Sequence, residues 1–355
     1  MIKMKQYILI LFIGLSMHVS ANRIIKTDTL SFVFEGKKFS GILDLPRDKK
    51  PKGLIILIPG SGKTDIATGN WNSVLRSNFV QEGFACYVWD RAGCGKSQGI
   101  FNANQPVQNS AKEAIAAIEE LKRQNIPGSD KIGLWSHSRG GWICPLIIAE
   151  YPSISFWITV SGPDDKETYG YLLKRNFLIE GRSKKEAKKL MNEWQNGFDV
   201  ARHGGTFEEN LKVTENLRND PFYVFMSNNS KPTAEGFLNW QKKFQNGENI
   251  VDEKSGLQIY IPDFDKILQK VNCPVLAIFG EKDTQVNWQR TKKLYKKTIG
   301  KNPRATLTIK TFPNGNHNIY ECITGGFREK LTKREICEGY FETMSTWLKG
   351  IKIDK

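Results

Sequence analysis

Uninterrupted apolar runs punctuate this chain. Residues 53–58 form the first and end in Pro59-Gly60-Ser61-Gly62. Similar runs recur at 84–89, 131–135, 155–160 and 274–279, with a weaker one at 305–310. Such runs suit strands covered on both faces, the situation of a parallel sheet. Ahead of them, residues 31–36 and 40–45 read as a short β-hairpin. Helical spacing fills the intervals: Ala111, Ala114, Ile115, Ile118 and Leu121 repeat with charges opposite, and Ile336, Tyr340, Met344, Trp347 and Leu348 share one face of a last helix. Strand and helix in alternation predict an α/β fold with a mostly parallel sheet and flanking helices.

The alternation breaks between residues 164 and 262, a charged, aromatic, helix-like stretch. Ala187, Leu190, Met191 and Trp194 repeat at helical spacing, as do Phe237, Trp240 and Phe244. These stripes predict a helical cap inserted over the sheet, its aromatics serving first as its own core and second as a substrate wall. The catalytic domain is expected at 22–163 and 263–355, with the cap at 164–262. No internal repeat or low-complexity segment interrupts it.

Two Lys in the first five residues, an apolar stretch over residues 7–17 and the small-residue exit Val19-Ser20-Ala21 have the layout of a secretory signal. The apolar stretch is shorter than the roughly 20 residues that cross a bilayer. The expectation is cleavage after residue 21 and a mature protein in the periplasm or outside the cell. The net charge is +15, and +13 once Lys3 and Lys5 depart. It reads first as a solvated Lys-rich surface and second as a preference for anionic surfaces or substrates, and no nucleic-acid motif accompanies it. An exported chain can hold disulfides. Cys86, Cys144 and Cys273 fall in apolar runs and read as buried thiols, while Cys322 and Cys337 flank a loop and are the expected pair. No Cys-x-x-Cys occurs, so neither a zinc ribbon nor a thioredoxin-type site is supported.

The fragment Asp90-Arg91-Ala92-Gly93-Cys94-Gly95-Lys96-Ser97 ends as a phosphate-binding loop does. The spacing requires Gly at position 90, and Asp90 stands there, with its carboxylate where phosphate would need backbone N–H groups. No helix start follows. The fragment instead resembles the D-x-R-G-x-G-x-S turn of α/β-hydrolases, shortened by one residue at the Arg. The resemblance implies that Asp90 and Arg91 tie down a loop beside the active-site mouth.

The motif with the most chemistry is Ser136-His137-Ser138-Arg139-Gly140, between a buried run and an apolar helix. It resembles the nucleophile elbow G-x-S-x-G, with Ser136, also small, in place of the first Gly. Ser138 is the expected nucleophile. A hydroxyl needs a base, and the chain has four His: His18, His137, His203 and His317. His18 leaves with the signal, His203 lies in the insertion, and His137 should point away from its neighbour's hydroxyl. His317, after the last strand-like run, occupies the catalytic position of the family. Gly280-Glu281-Lys282-Asp283-Thr284-Gln285-Val286 matches the family's acid turn, so Asp283 is the expected acid, with Glu281 in reserve. The developing oxyanion would be held by the backbone N–H of Arg139 and by that of Ser61 or Gly62.

The resemblance spans nearly the whole mature chain. It is to exported bacterial carboxylesterases and to dienelactone-hydrolase and prolyl-oligopeptidase-like hydrolases, and it implies an eight-stranded sheet and no metal or organic cofactor. The expected function is hydrolysis of small carboxylic esters through an acyl-Ser138 intermediate. A serine peptidase of aminopeptidase or dipeptidyl-peptidase type, or a thioesterase, is the alternative. Glu180, Glu193, Asp199, Glu208 and Glu209 of the cap are the acids that could hold a substrate amine. A non-catalytic binding protein on the same scaffold usually lacks a triad member, and all three residue types are present.

Overall fold

The computed structural model describes residues 25–66, 72–166, 168–252, 257–329, 332 and 335–352; the expected signal segment lies outside them. Strands β1 (Ile25–Phe34) and β2 (Lys37–Pro46) form an antiparallel hairpin; β1 begins six residues earlier than its apolar positions predict and ends two earlier, and β2 extends past both of its expected ends. The alternating part follows: β3 (Leu54–Ile58), α1 (Ser73–Gln81), β4 (Ala85–Trp89), α2 (Val107–Arg123), β5 (Ile132–His137), α3 (Gly140–Glu150) and β6 (Phe156–Val160). Beyond β6 lie the helices α4 (Tyr169–Ile179), α5 (Lys184–Arg202), α6 (Phe207–Val213), α7 (Glu215–Asn219), α8 (Pro221–Met226) and α9 (Ala234–Gln245). They are followed by the two-stranded ribbon β7 (Ile250–Val251) and β8 (Gln258–Ile259). The chain returns through α10 (Phe264–Gln269) to β9 (Val275–Gly280), then α11 (Trp288–Lys297), β10 (Leu307–Phe312) and α12 (Tyr340–Gly350).

One sheet of eight strands runs in the order β1-β2-β4-β3-β5-β6-β9-β10. Every pairing from β4 to β10 is parallel, and the hairpin joins antiparallel at β4. Period-two side-chain direction splits each inner strand between two cores. Leu54, Ile56 and Ile58 pack with Ala114, Ile118, Leu121, Ile143 and Ile147 on the side of α2 and α3. Ile55 and Leu57 pack with Leu75, Phe79, Met344 and Leu348 on the side of α1 and α12. With both faces covered, nothing in these strands is polar for solvent, and each buried Leu or Ile contributes about 1.5–3 kcal/mol. Strand order reverses between β3 and its two neighbours, and such a switch point opens a crevice at the carboxyl ends of the strands.

The helices beyond β6 carry strong start signals. Ser183 with Glu186, and Thr206 with Glu209, form complete capping boxes, and Asp220 caps α8 with Pro221 in its first turn. Leu172, Leu173, Phe177, Ala187, Leu190, Leu217 and Phe222 form their apolar cluster.

Two expectations need correction. Ile336 does not belong to the last helix: it makes an isolated bridge with Tyr320, and α12 begins only after Gly339 turns the chain at φ 78°. Cys322 and Cys337 are both free thiols. Their segments do pair, but the Cys337 N–H donates to the carbonyl of Ile319, so the register carries Cys322 past its intended partner. The Cys322 thiol donates to the carbonyl of Asn314 instead, at 3.0 Å.

Candidate active site

The loops after β3, β5, β9 and β10 meet at the carboxyl edge of the sheet, and each carries at least one expected functional residue. Ser138 follows β5 directly and holds φ 52°, a left-handed conformation that a β-carbon makes costly. The turn is fixed by bonds on either side: the Ser138 N–H donates to Val160 at 2.9 Å, and the Gly141 N–H to the Ser138 carbonyl at 2.7 Å. Helix α3 starts so close to the sheet that a β-carbon on Gly140 would lie 2.8 Å from Ser136 Cβ and 2.9 Å from the Ile58 carbonyl. Ser136 is more than small. It is fully buried, and its hydroxyl accepts the Trp157 indole N–H at 2.9 Å.

Asp283 and His317 come together. The imidazole Nδ1 lies 2.8 Å from Asp283 Oδ2, with both side chains buried. Asp283 Oδ1 accepts the backbone N–H groups of Gln285 and Val286 at 2.7 and 2.9 Å, which fixes the carboxylate. A carboxylate facing Nδ1 makes that nitrogen the donor and leaves Nε2 as the acceptor. The two loops are held as one unit: Glu281 N–H donates to Phe312, Lys282 N–H to Gly315, and a β-carbon on Gly280 would sit 2.3 Å from the carbonyl oxygens of Gly315 and Asn316. Glu281, the reserve acid, is exposed and accepts the Thr311 hydroxyl; His317 is not its partner.

The loop after β3 lies beside Ser138, with a Gly60 β-carbon position 3.5 Å from Ser138 Cβ. Arg91 clamps it. Its Nη1 donates to the carbonyls of Gly60, Ser61 and Gly62 at 3.4, 2.7 and 3.1 Å, and its Nη2 to that of Asn102. Among the described residues the N–H groups of Ser61, Gly62 and Arg139 have no protein acceptor. Asp90 fills its own turn, accepting Ile66 N–H and Lys96 N–H while Ser97 closes onto its carbonyl. The Lys96 side chain is exposed, and the fragment holds no phosphate cradle.

Behind the elbow lies a buried charge cluster. The Arg139 guanidinium donates to the Gln105 carbonyl and the Ser110 hydroxyl, and burial, with the charge of Arg91, brings its pKa down to about 10. Glu113 accepts the Trp89 indole at 2.7 Å and the Gln105 amide at 3.2 Å, and burial raises its carboxyl above the usual range.

Three contributors were not read from the sequence. His137 turns toward the histidine loop, its Nε2 3.1 Å from the His317 carbonyl. The Tyr171 hydroxyl, from the insertion, donates to the Asp283 carbonyl at 3.2 Å. Arg290 binds Asp164 through Nε and Nη2 at 2.5 and 2.8 Å, beside the exit to the insertion. Only the tight elbow offered a signal for the first; the others depend on contacts across 112 and 126 residues of chain. His203 caps the end of α5, away from the site. Among the described residues no group of three or more His, Cys, Asp and Glu gathers to hold a metal.

Known proteins resemble this chain in sequence and in fold. The bifunctional esterase/perhydrolase DCH of Acinetobacter calcoaceticus is 22% identical over 226 residues, 63% of this chain and 73% of that protein. The solved esterase Pf2001 of Pyrococcus furiosus aligns at TM-score 0.53 and 15% identity, covering 94% of this chain and 92% of its own. The structure of DcsB with its substrate analogue aligns at TM-score 0.54 and 16% identity, covering 92% and 99%. Both structural likenesses are of fold. The family model described as serine aminopeptidase, S33, matches residues 49–249, more than half of the sequence, and the chain therefore belongs to that family of α/β-hydrolases.

Proposed function

We propose that this protein is a serine carboxylesterase acting through an acyl-Ser138 intermediate. The observation that carries the reading is the buried 2.8 Å pairing of Asp283 with His317 Nδ1 at the same sheet edge as Ser138 in its strained turn. His317 Nε2 takes the Ser138 proton as Oγ attacks the ester carbonyl, then returns it to the leaving alcohol. Asp283 holds the tautomer and stabilises the imidazolium. The N–H of Arg139, with that of Ser61 or Gly62, receives the oxyanion. Water repeats the sequence on the acyl-enzyme.

The acids of the insertion favour an ester over an aminopeptide. Glu180 pairs with Arg328, Glu193 accepts Asn216 and Leu217, Glu209 closes a capping box and Asp199 accepts Gln195. With four of the five candidate acids so engaged, little remains to bind an α-ammonium group. The test is a fluorophosphonate probe followed by turnover of p-nitrophenyl esters, acyl thioesters and aminoacyl nitroanilides. The expected result is labelling at Ser138 and preference for the oxygen esters. Preference for the nitroanilides would make the protein a peptidase, and absence of labelling would remove the nucleophile.

The amino-terminal pattern adds the proposal that the enzyme is exported. Cell fractionation with amino-terminal sequencing tests it, and an intact Met1 in the cytoplasmic fraction would overturn it. Among the described residues no helix is long and apolar enough to cross a membrane.

A further inference from the structure

The insertion contains a half-open cavity of about 980 Å³, lined by residues of α5 to α9 and the loop before α9. Ser138, Asp283 and His317 are not in its wall. Ligand sites typically enclose about 300–1,000 Å³. One wall is aromatic: Trp194, Phe198, Phe207, Phe237 and Trp240. The rings brace one another edge to face, with Phe198 and Trp240 centroids 5.8 Å apart and Phe237 and Trp240 6.4 Å apart.

The same lining carries cationic side chains. Arg218 and Lys231 line the cavity, and no Asp or Glu does. Arg218 is held in place by its Nε on the Thr214 hydroxyl at 3.2 Å and its Nη2 on the Leu211 carbonyl at 2.8 Å. Neither bond neutralises it. Asp220 is committed to Arg182 and Glu193 to Asn216 and the Leu217 N–H, while Glu215, one turn earlier on α7, is exposed, and Arg218 forms no ion pair among the described residues. Tyr223 adds a phenol, which burial keeps neutral and a donor.

A packing defect in a small helical unit would account for a void, but not for this lining. Of the insertion's apolar cluster Leu217 borders the cavity, whereas Leu172, Leu173, Phe177, Ala187, Leu190 and Phe222 do not. Braced aromatic rings and a held guanidinium that forms no ion pair among the described residues, lining one cavity, match a ligand with both an apolar and an anionic part. We propose that this cavity binds a carboxylate carried on an aromatic or medium-chain apolar body, at a site separate from Ser138. The proposal does not depend on the reaction at Ser138.

Fluorine NMR of the full chain labelled with fluorotryptophan tests it, because Trp194 and Trp240 report on the cavity and Trp142 on the elbow helix. Titration with phenylbutanoate and with octanoate is expected to shift the Trp194 and Trp240 signals saturably and leave Trp142 unmoved. The corresponding primary amides, and the Arg218→Gln variant, are each expected to bind at least about tenfold more weakly, the usual loss when one side of a charge-assisted hydrogen bond is removed. Ser227→Phe, which fills the cavity from the residue that caps α8, is expected to abolish the shifts. Shifts confined to Trp142, equal binding of acid and amide, or binding unchanged in both variants would overturn the proposal, as would the absence of any saturable shift.

Discussion

His137 Nε2 lies 3.1 Å from the backbone carbonyl of His317, and the two rings stand 5.0 Å apart. A carbonyl can only accept, so His137 carries its proton on Nε2. The bond ties the nucleophile turn to the histidine loop across 180 residues of sequence. His137 is thus a positioning residue. His137→Ala is expected to lower kcat about tenfold, the scale of one buried hydrogen bond, with KM little changed. His137→Gln, whose amide can donate to the same carbonyl, is expected to recover most of the loss. Steady-state kinetics of both variants check this, and a His137→Ala defect as deep as that of His317→Ala would place His137 in the chemistry itself.

Removal of Ser138 or His317 should be far more severe. Each Ala variant is expected to lose about 10⁴-fold or more in kcat, and the double variant little beyond that, because residues that act as a unit are not additive. Asp283→Asn should approach the same depth, since an amide facing Nδ1 favours the wrong tautomer. A double variant whose loss is the product of the single losses would argue against a shared mechanism.

Arg91 offers a separate handle on the loop proposed to hold the oxyanion. One guanidinium nitrogen gathers three successive carbonyls of the loop that lies beside Ser138. Lys cannot reproduce the fork. Arg91→Lys is expected to reduce kcat by about tenfold and Arg91→Met by about a hundredfold, one and two hydrogen bonds' worth, with smaller effects on KM. Equal activity in all three proteins would dissociate the loop from catalysis.

The thiols near the histidine loop should be sluggish. Burial, with the charges of Glu329 and Glu321, raises Cys322 from its ordinary value to about 11, and burial with Glu321 raises Cys337 to about 12. The thiolate is the reactive form. Alkylation of Cys322 by iodoacetamide at pH 8 should therefore run about a hundredfold slower than that of a free cysteine and climb about tenfold per pH unit until near its raised pKa. Mass spectrometry across pH 7 to 11 measures this. Rapid labelling at neutral pH, or a Cys322–Cys337 bond in protein from its native compartment, would contradict it.

Legibility in the sequence followed the range of the interactions. The inner strands were visible because both their faces are buried, which leaves apolar runs such as Leu54–Ile58 with no polar interruption. Ser138 was visible because a strained turn between strand and helix demands small neighbours, and Gly140 and Gly141 supply them. Asp283 and His317 were legible through resemblance of their local turns, not through any mark of their 2.8 Å contact. What His137 reaches was not legible, because its Nε2 meets a carbonyl on a loop 180 positions away. Local spacing predicted a helix through Ile336, and tertiary pairing with Tyr320 took that residue out of it. The cavity of the insertion left no trace in periodicity, since an aromatic stripe that lines a void looks the same as one that fills a core.

Strands β6 and β9 are hydrogen-bonded neighbours, yet the chain between them travels through Ser161 to Pro274 before it returns. Its departure and arrival points are fixed by the sheet and not by what lies between. Lengthening such an excursion raises the loop-closure cost only logarithmically, about 0.6 kcal/mol per doubling. Evolution can therefore rewrite the insertion, exchanging helices or their lining residues, while the elbow and the Asp283–His317 unit descend unaltered. The fold separates inheritance of a reaction from adaptation to a molecule, and a chimaera carrying a relative's insertion between these two strands would be a transplant of taste without a change of teeth.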